Sequence, residues 1–317
     1  MTKLAVGIWA YGRCAERYVS DGYREAMPFE RRLEKVAALE GAFGVELSYP
    51  GDIDEANCDE IKGLLERYNL RIASIIPEIV CEAKWQRGAL TAMDDALRSD
   101  ARARIKGAMD MASRTGTKIV NIWPGQDGFD YAFEVDYARG WELFVEGLAE
   151  CAAHRPEIKL AIEYKMSEPR MKCYAANAGT ALALSMATGR PNVGVALDIG
   201  HSFNAGENPA MSVALLAGQG RLFHVHINDN YGIADDDMPA GSVHWPQWFE
   251  FVHWLRKVGY DDWISLDMYP YRDDPQNACE VSMEFFRLAE RVAERMSVGY
   301  DASPSEVFRR IMRSFAK

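Results

Sequence analysis

The sequence predicts an α/β chain folded as a (β/α)8 TIM barrel with a short C-terminal helical extension. Three observations predict it. Short apolar runs rich in β-branched and aromatic residues alternate with amphipathic segments rich in Ala, Leu, Glu and Arg, and they do so eight times. The alternation is unbroken, which implies a parallel sheet. Eight units spread over roughly 290 residues fit a closed barrel better than an open doubly wound sheet, and no GxGxxG follows the first strand.

Taken in order, the candidate strands are LAVGIW (4–9), GVELS (44–48), RIASII (71–76), KIVNIW (118–123), LAIEY (160–164), VGVALD (193–198), LFHVHI (222–227) and WISLDM (263–268). The intervening helices include PFERRLEKVAALEG, SDARARIKGAMDMASRTG and VHWPQWFEFVHWLRKVG, each closing on a glycine suited to a helix C-terminus. The barrel is expected to occupy 1–296. The remaining stretch, 297–317, contains a DASPSE break and a short amphipathic helix. It reads equally as an arm on a neighbouring chain, giving a homo-oligomer such as a dimer or tetramer, or as a helix closing the barrel floor.

Composition removes several classes. The 317 residues carry a net charge of −11 without a Lys/Arg cluster, which argues against a nucleic-acid or anionic-membrane partner. No apolar run approaches the roughly 18 residues that span a bilayer, and MTKLAVGIWAYGR lacks the core of a signal peptide, so a cytoplasmic protein is expected. The six cysteines are scattered without CxxC spacing, as reduced buried thiols would be.

In a barrel of this kind chemistry sits at the C-terminal ends of the strands. Strand 5 ends in Glu163 and Lys165, strand 6 in Asp198 followed by His201, strand 7 carries His224 and His226, and strand 8 ends in Asp267. His224 and His226 alternate with Val225 and Ile227, so both imidazoles leave one face of the strand. Asp235 and Asp237 follow in the next loop. Each acid alone reads as a cap or salt-bridge partner. Several acids at one mouth are costly without a cation to neutralise them. Oxygen-rich ligation with one or two imidazoles suits Mn2+, Mg2+ or Co2+ rather than structural zinc. If Asp198 bridges, His201 can turn toward a second cation together with Asp235 and Asp237.

The runs IEYKMSEPR (162–170), LDIGH (197–201), HIND…ADDD (226–237) and SLDMYPYRDD (265–274) resemble the xylose isomerase-like superfamily, and within it the bacterial rhamnose isomerase branch. The resemblance implies a first metal on Glu163, Asp198, His226 and Asp267, and a second sharing Asp198 with His201, Asp235 and Asp237. It implies that Lys165 donates to the substrate oxygen at C1 and that Trp123, in WPGQDG, forms an apolar wall against the sugar. Glu163, Lys165, His201 and Asp267 become the catalytic candidates, and His224 a substrate-facing or supporting one. Strand 3 ends in IIPEIV, without the histidine that many relatives use for ring opening. The loop between His226 and Asp235 is one residue longer than in the rhamnose isomerases.

The implied reaction is interconversion of a free aldose and ketose by a metal-assisted 1,2-hydride shift. The implied cofactor is Mn2+, with Co2+, Mg2+ and Zn2+ as alternatives, one or two per chain. An acidic mouth without an arginine cluster favours an unphosphorylated sugar. The rival is a single-metal ketose 3-epimerase, or a lyase or isomerase acting on a keto-sugar or inositol derivative through an enediolate. In the epimerase branch a Glu holds the last ligand position and an Arg follows the strand 7 His. This chain has Asp267 and Gly232 there.

Overall fold

The computed structural model describes residues 2–168, 170–295 and 302–315. Eight parallel strands close into a barrel: β1 (Lys3–Gly7), β2 (Ala42–Tyr49), β3 (Arg71–Pro77), β4 (Ile119–Ile122), β5 (Lys159–Glu163), β6 (Val193–Asp198), β7 (Leu222–Ile227) and β8 (Trp263–Leu266). Each pairs with its sequence neighbours, and β8 returns to β1. This is the expected (β/α)8 barrel.

The outward residues of the strands, among them Val6, Val45, Val120, Ile162, Leu197, Val225 and Leu266, are buried under the surrounding helices. The helices have the predicted punctuation. Asp94 accepts from the Ala96 amide to start helix Asp95–Thr115, and Gly116 ends it at φ +77°.

Inside, the barrel is layered. Ile119, Ala161, Ala196 and Phe223, with Trp263 against them, form an apolar plug near the strand starts. Phe223 reaches the interior because the β6–β7 register shifts between Leu222 and His224, and because Gly194 has no Cβ to overlap its ring. Above the plug the inward positions turn polar. Glu46, Ser74, Asn121, His224, His226, Asp198 and Ser265 are all fully buried. A polar column of this kind fixes where chemistry can occur.

Three details differ from the sequence reading. The first strand stops at Gly7, and Ile8–Tyr11 form a 3-10 turn that folds Trp9 over the barrel mouth. β8 stops at Leu266, so Asp267 sits just past the regular strand. Gly128–Phe129, Ser167–Glu168 and Met171–Cys173 form a small antiparallel sheet from the loops after β4 and β5, which the periodicity did not reveal. The expected division at 296/297 lies outside the described residues. Helix Pro304–Phe315 packs on the last barrel helix, Pro275–Arg295, where Ile311 joins the core. Among the described residues no helix is long and apolar enough to cross a membrane.

Candidate metal centre at the barrel mouth

Four consecutive strands deliver one ligand each to a common point. Glu163 ends β5, Asp198 ends β6, His226 lies one residue from the end of β7, and Asp267 follows β8. Each offers a ligand atom, and all four atoms lie within 4.8 Å of one another. Register explains the convergence: His226 stands opposite both Asp198 and Ser265, and Glu163 opposite Ala196. His226 Nδ1 is 3.2 Å from Glu163 Oε1 and 3.1 Å from Asp267 Oδ2.

A set of neutral donors holds the carboxylates in place. Asn121 Nδ2 donates to Glu163 Oε2 at 2.5 Å, Asn228 Nδ2 to Asp198 Oδ2 at 2.8 Å, and Trp9 Nε1 to Asp267 Oδ1 at 2.7 Å. The His201 amide donates to Asp198 Oδ1 at 2.8 Å, which also caps the short helix Ile199–Asn204. Trp9 can lie there because its neighbour is Gly7, where a Cβ would overlap the indole. Fixing one oxygen of Glu163 and of Asp267 leaves the other directed at the common point. Three carboxylates and one imidazole are a donor set that suits a hard or borderline divalent cation.

The electrostatics show how crowded the negative charge is. Burial pushes the Asp198 carboxyl up to about 6, against the pull of His201 and with the push of Asp235, Glu163 and Asp267. Burial also raises Asp237 well above the carboxylate range, with Asp235 and Asp267 adding to the rise. Glu163 goes the other way, to about 2: burial raises it, but the His226 charge and hydrogen bond outweigh that. His226 is correspondingly raised despite its burial, by Glu163 and Glu46. His201 is raised to about 9 against burial, by Asp198 and Asp235. The carboxylates thus compete for the positive charge of His226, His201 and Lys165.

Around this point opens a cavity of about 520 Å³, lined by Trp9, Trp123, Lys165, His201, Asp235 and Asp237 among others. A larger cavity, about 700 Å³, lies at the opposite end of the barrel among Lys3, Lys62, Arg71 and Lys118, so size alone does not locate the chemistry. Lys165 Nζ lies 2.8 Å from Asp235 Oδ2, touches Glu168, and stands 5.1 Å from the centre of the Trp123 ring. Asp235 Oδ2 is also 3.1 Å from His201 Nε2.

Of the two roles open to His224, the geometry leaves the supporting one. His224 does not face the substrate: it is fully buried below His226, with Nε2 2.5 Å from Glu46 Oε1, because two residues back along a strand is one level deeper in the barrel. Of the residues expected to hold a second cation, His201 and Asp235 meet at 3.1 Å, but the four do not form one ligand cluster among the described residues. Asp235 is engaged by Lys165 and His201, and among the described residues the clustered ligand groups are the quartet and Glu46–His224–His226. Asp237 lines the cavity on a backbone at φ +47° without joining either group.

Sequence reasoning passed over Glu46, Asn121, Asn228 and Trp9. The available signal was parity: Glu46 in GVELS and Asn121 in KIVNIW are polar residues at inward positions of otherwise buried strands.

A family model described as xylose isomerase-like TIM barrel matches residues 33–289. The chain belongs to that family. Within the xylose isomerase-like family it is similar to the xylose isomerase of Thermus thermophilus, with 26% identity over 288 residues, 86% of this chain and 74% of that protein. Among solved structures it is similar to an L-ribulose 3-epimerase, with a TM-score of 0.74 at 16% identity over 96% of this chain and 99% of the other. It also resembles a D-tagatose 3-epimerase-like protein, with a TM-score of 0.71 at 19% identity over 91% and 98%. At those identities the two structures show the shared fold. The comparisons reach the xylose isomerase-like superfamily and not the finer placement beside the rhamnose isomerases.

Proposed function

We propose that this chain is a divalent-metal-dependent sugar isomerase that interconverts a free aldose and its ketose. The observation that carries the reading is the placement of Lys165, a buried ammonium 2.8 Å from Asp235, in the cavity that Glu163 and Asp267 of the quartet also line. Glu163, Asp198, His226 and Asp267 would hold the cation, with Mn2+ the best match and Co2+, Mg2+ or Zn2+ as alternatives. The similarity to a xylose isomerase and to sugar epimerases supports a sugar substrate.

When bound, the cation supplies Lewis acidity toward the sugar's carbonyl and vicinal hydroxyl oxygens. The chain does the rest. Lys165 Nζ donates a hydrogen bond to the oxygen at C1, where negative charge grows as the carbonyl is reduced. Asp235 Oδ2, held 3.1 Å from the positively charged His201 Nε2, would take the proton of the C2 hydroxyl and return it to the oxygen at C1. Hydride then passes from C2 to C1 within the substrate. Trp123 and Trp9 cover the reacting carbons with apolar surface and exclude water, which disfavours proton exchange at carbon. Acidic groups outnumber Arg32 and Lys165 in the cavity lining, and Arg32 already stands 3.6 Å from Asp52, so an uncharged sugar is favoured over a phosphorylated one.

A second reading is kept by one observation. Among the described residues only one quartet of ligands is gathered at the mouth, as a single-metal ketose 3-epimerase would need. In that case Glu163 and Asp267 would exchange protons at carbon. Preparing the protein without chelator, measuring bound Mn, Co, Mg and Zn, and assaying aldose–ketose interconversion before and after chelation tests the proposal. One or two cations per chain and metal-restored interconversion are expected. A preparation that binds no divalent cation and shows no thermal shift with Mn2+ sinks both readings.

A further inference from the structure

We infer that Glu46 is a positioning residue that decides which ring nitrogen of His226 is offered to the cation. The inference rests on reading Glu163, Asp198, His226 and Asp267 as the metal centre. Glu46 lies on β2, with none of its surface exposed, and it stands three residues' side chains deep in hydrogen bonds. Its Oε1 is 2.5 Å from His224 Nε2, while Oε2 is 3.1 Å from His226 Nε2 and accepts from Ser74 Oγ at 2.8 Å.

A neutral imidazole has one N–H and one lone pair, and a partner on one nitrogen settles which is which. A carboxylate only accepts. Glu46 therefore takes the hydrogen at Nε2 of His226 and leaves the lone pair at Nδ1, the nitrogen that lies 3.2 Å from Glu163 Oε1 and 3.1 Å from Asp267 Oδ2. Ligating histidines are oriented in this way by a carboxylate on the far nitrogen, which also makes the ligating nitrogen more basic.

The cost of Glu46 argues that it is there for this purpose. A carboxylate out of water is strongly disfavoured, and packing at this depth does not need one, because Ser74, Asn121 and Ser265 fill neighbouring inward positions as neutral groups. His224 completes the device. Its ring meets His226 edge to face at 4.9 Å and 79°, and its bond to Oε1 stops the Glu46 carboxylate from turning away from Nε2 of His226.

The test is Glu46→Gln, which keeps shape and volume but can present an N–H to Nε2. Co2+ is titrated into the variant and followed by calorimetry and by the visible absorption of the bound ion. Affinity is expected to fall about 10- to 100-fold, with a changed absorption spectrum and with the circular dichroism of the metal-free variant unaltered. Wild-type Co2+ affinity and spectrum in Glu46→Gln overturn the inference. So does metal–nitrogen coupling to His224 in cadmium-loaded protein, which would make Glu46, His224 and His226 the ligands themselves. Should Glu46→Gln fail to fold, wild-type protein loaded with spin-active cadmium and labelled with nitrogen-15 histidine gives the answer directly. Metal–nitrogen coupling to Nδ1 of His226 is expected, and coupling to Nε2 refutes it. Neither readout depends on sugar turnover, and a wild type that binds no cation would fail at the metal centre, before Glu46 is examined.

Discussion

Asp198→Asn should make the metal-free protein more stable at pH 8 while removing its response to metal. Asp198 is fully buried, and its carboxyl is pushed up to about 6 from an ordinary 3.8 by burial and by the neighbouring acids. That difference makes the ionised group cost about 3 kcal/mol at pH 8. The sign follows from a raised acid. The cost is absent below pH about 4, grows between about 4 and 6, and is complete above that. An asparagine is neutral throughout and never incurs it. Its N–H has a partner waiting, because Asn228 Oδ1 is buried without a hydrogen bond and the Asn228 amide can turn. Replacing charge-assisted bonds from Asn228 and the His201 amide by neutral ones returns about 1 kcal/mol. Urea unfolding in EDTA should therefore show the variant about 2 kcal/mol more stable at pH 8, with the advantage vanishing toward pH 4.5. Added Mn2+ should raise the wild-type midpoint, by about 2.7 kcal/mol at a hundredfold excess over Kd, and leave the variant nearly unmoved. A metal-free variant less stable at pH 8, or one that keeps the full Mn2+ shift, would refute the reasoning.

Other outcomes follow from the same geometry. Lys165→Met should cut kcat by at least about 100-fold while Co2+ affinity stays close to wild type, since the ammonium donates to substrate and not to the cation. Gly7→Ala should cost about 1–3 kcal/mol in thermal unfolding by overpacking, and should weaken Co2+ binding because the displaced Trp9 indole no longer holds Asp267. Asp237→Asn should lower activity strongly and reduce bound Mn to one per chain if a second cation assembles with substrate, whereas wild-type turnover would rule that cation out. In metal-free protein His226 is held protonated by Glu163 and Glu46, so Mn2+ affinity should rise with pH and binding should release protons, measurable by calorimetry in buffers of different ionisation enthalpy.

The fold was legible because a parallel barrel imposes a coarse, repeated signal. GVELS lies within Ala42–Tyr49, and LFHVHI coincides with Leu222–Ile227. Strand ends blurred where a functional residue bends the chain, as at Trp9 after Gly7 and at Asp267 after Leu266. The quartet could be read because Glu163, Asp198, His226 and Asp267 stand at the ends of four successive strands, and the fold brings those ends together. Depth could not be read in the same way. Parity puts His224 and His226 on one face, yet two residues of rise, about 7 Å, separate a mouth residue from one sealed beneath it. Glu46 reaches His226 from β2, three strands away around the barrel, and Trp9 reaches Asp267 from the turn after β1, which pairs with β8 but lies more than 250 residues away in sequence, so no local pattern ties either to its partner. Asp235 and Asp237 sit in a loop whose course depends on Lys165 and His201, so their spacing alone said little about what they hold.

Incubating the Mn2+-loaded protein with a panel of unphosphorylated aldoses and ketoses in D2O, and following C1, C2 and C3 by NMR, tests the central claim most directly. Aldose–ketose interconversion without solvent deuterium at C1 or C2 is expected. Deuterium at C3 with inversion there, or no turnover of any free sugar, would contradict it.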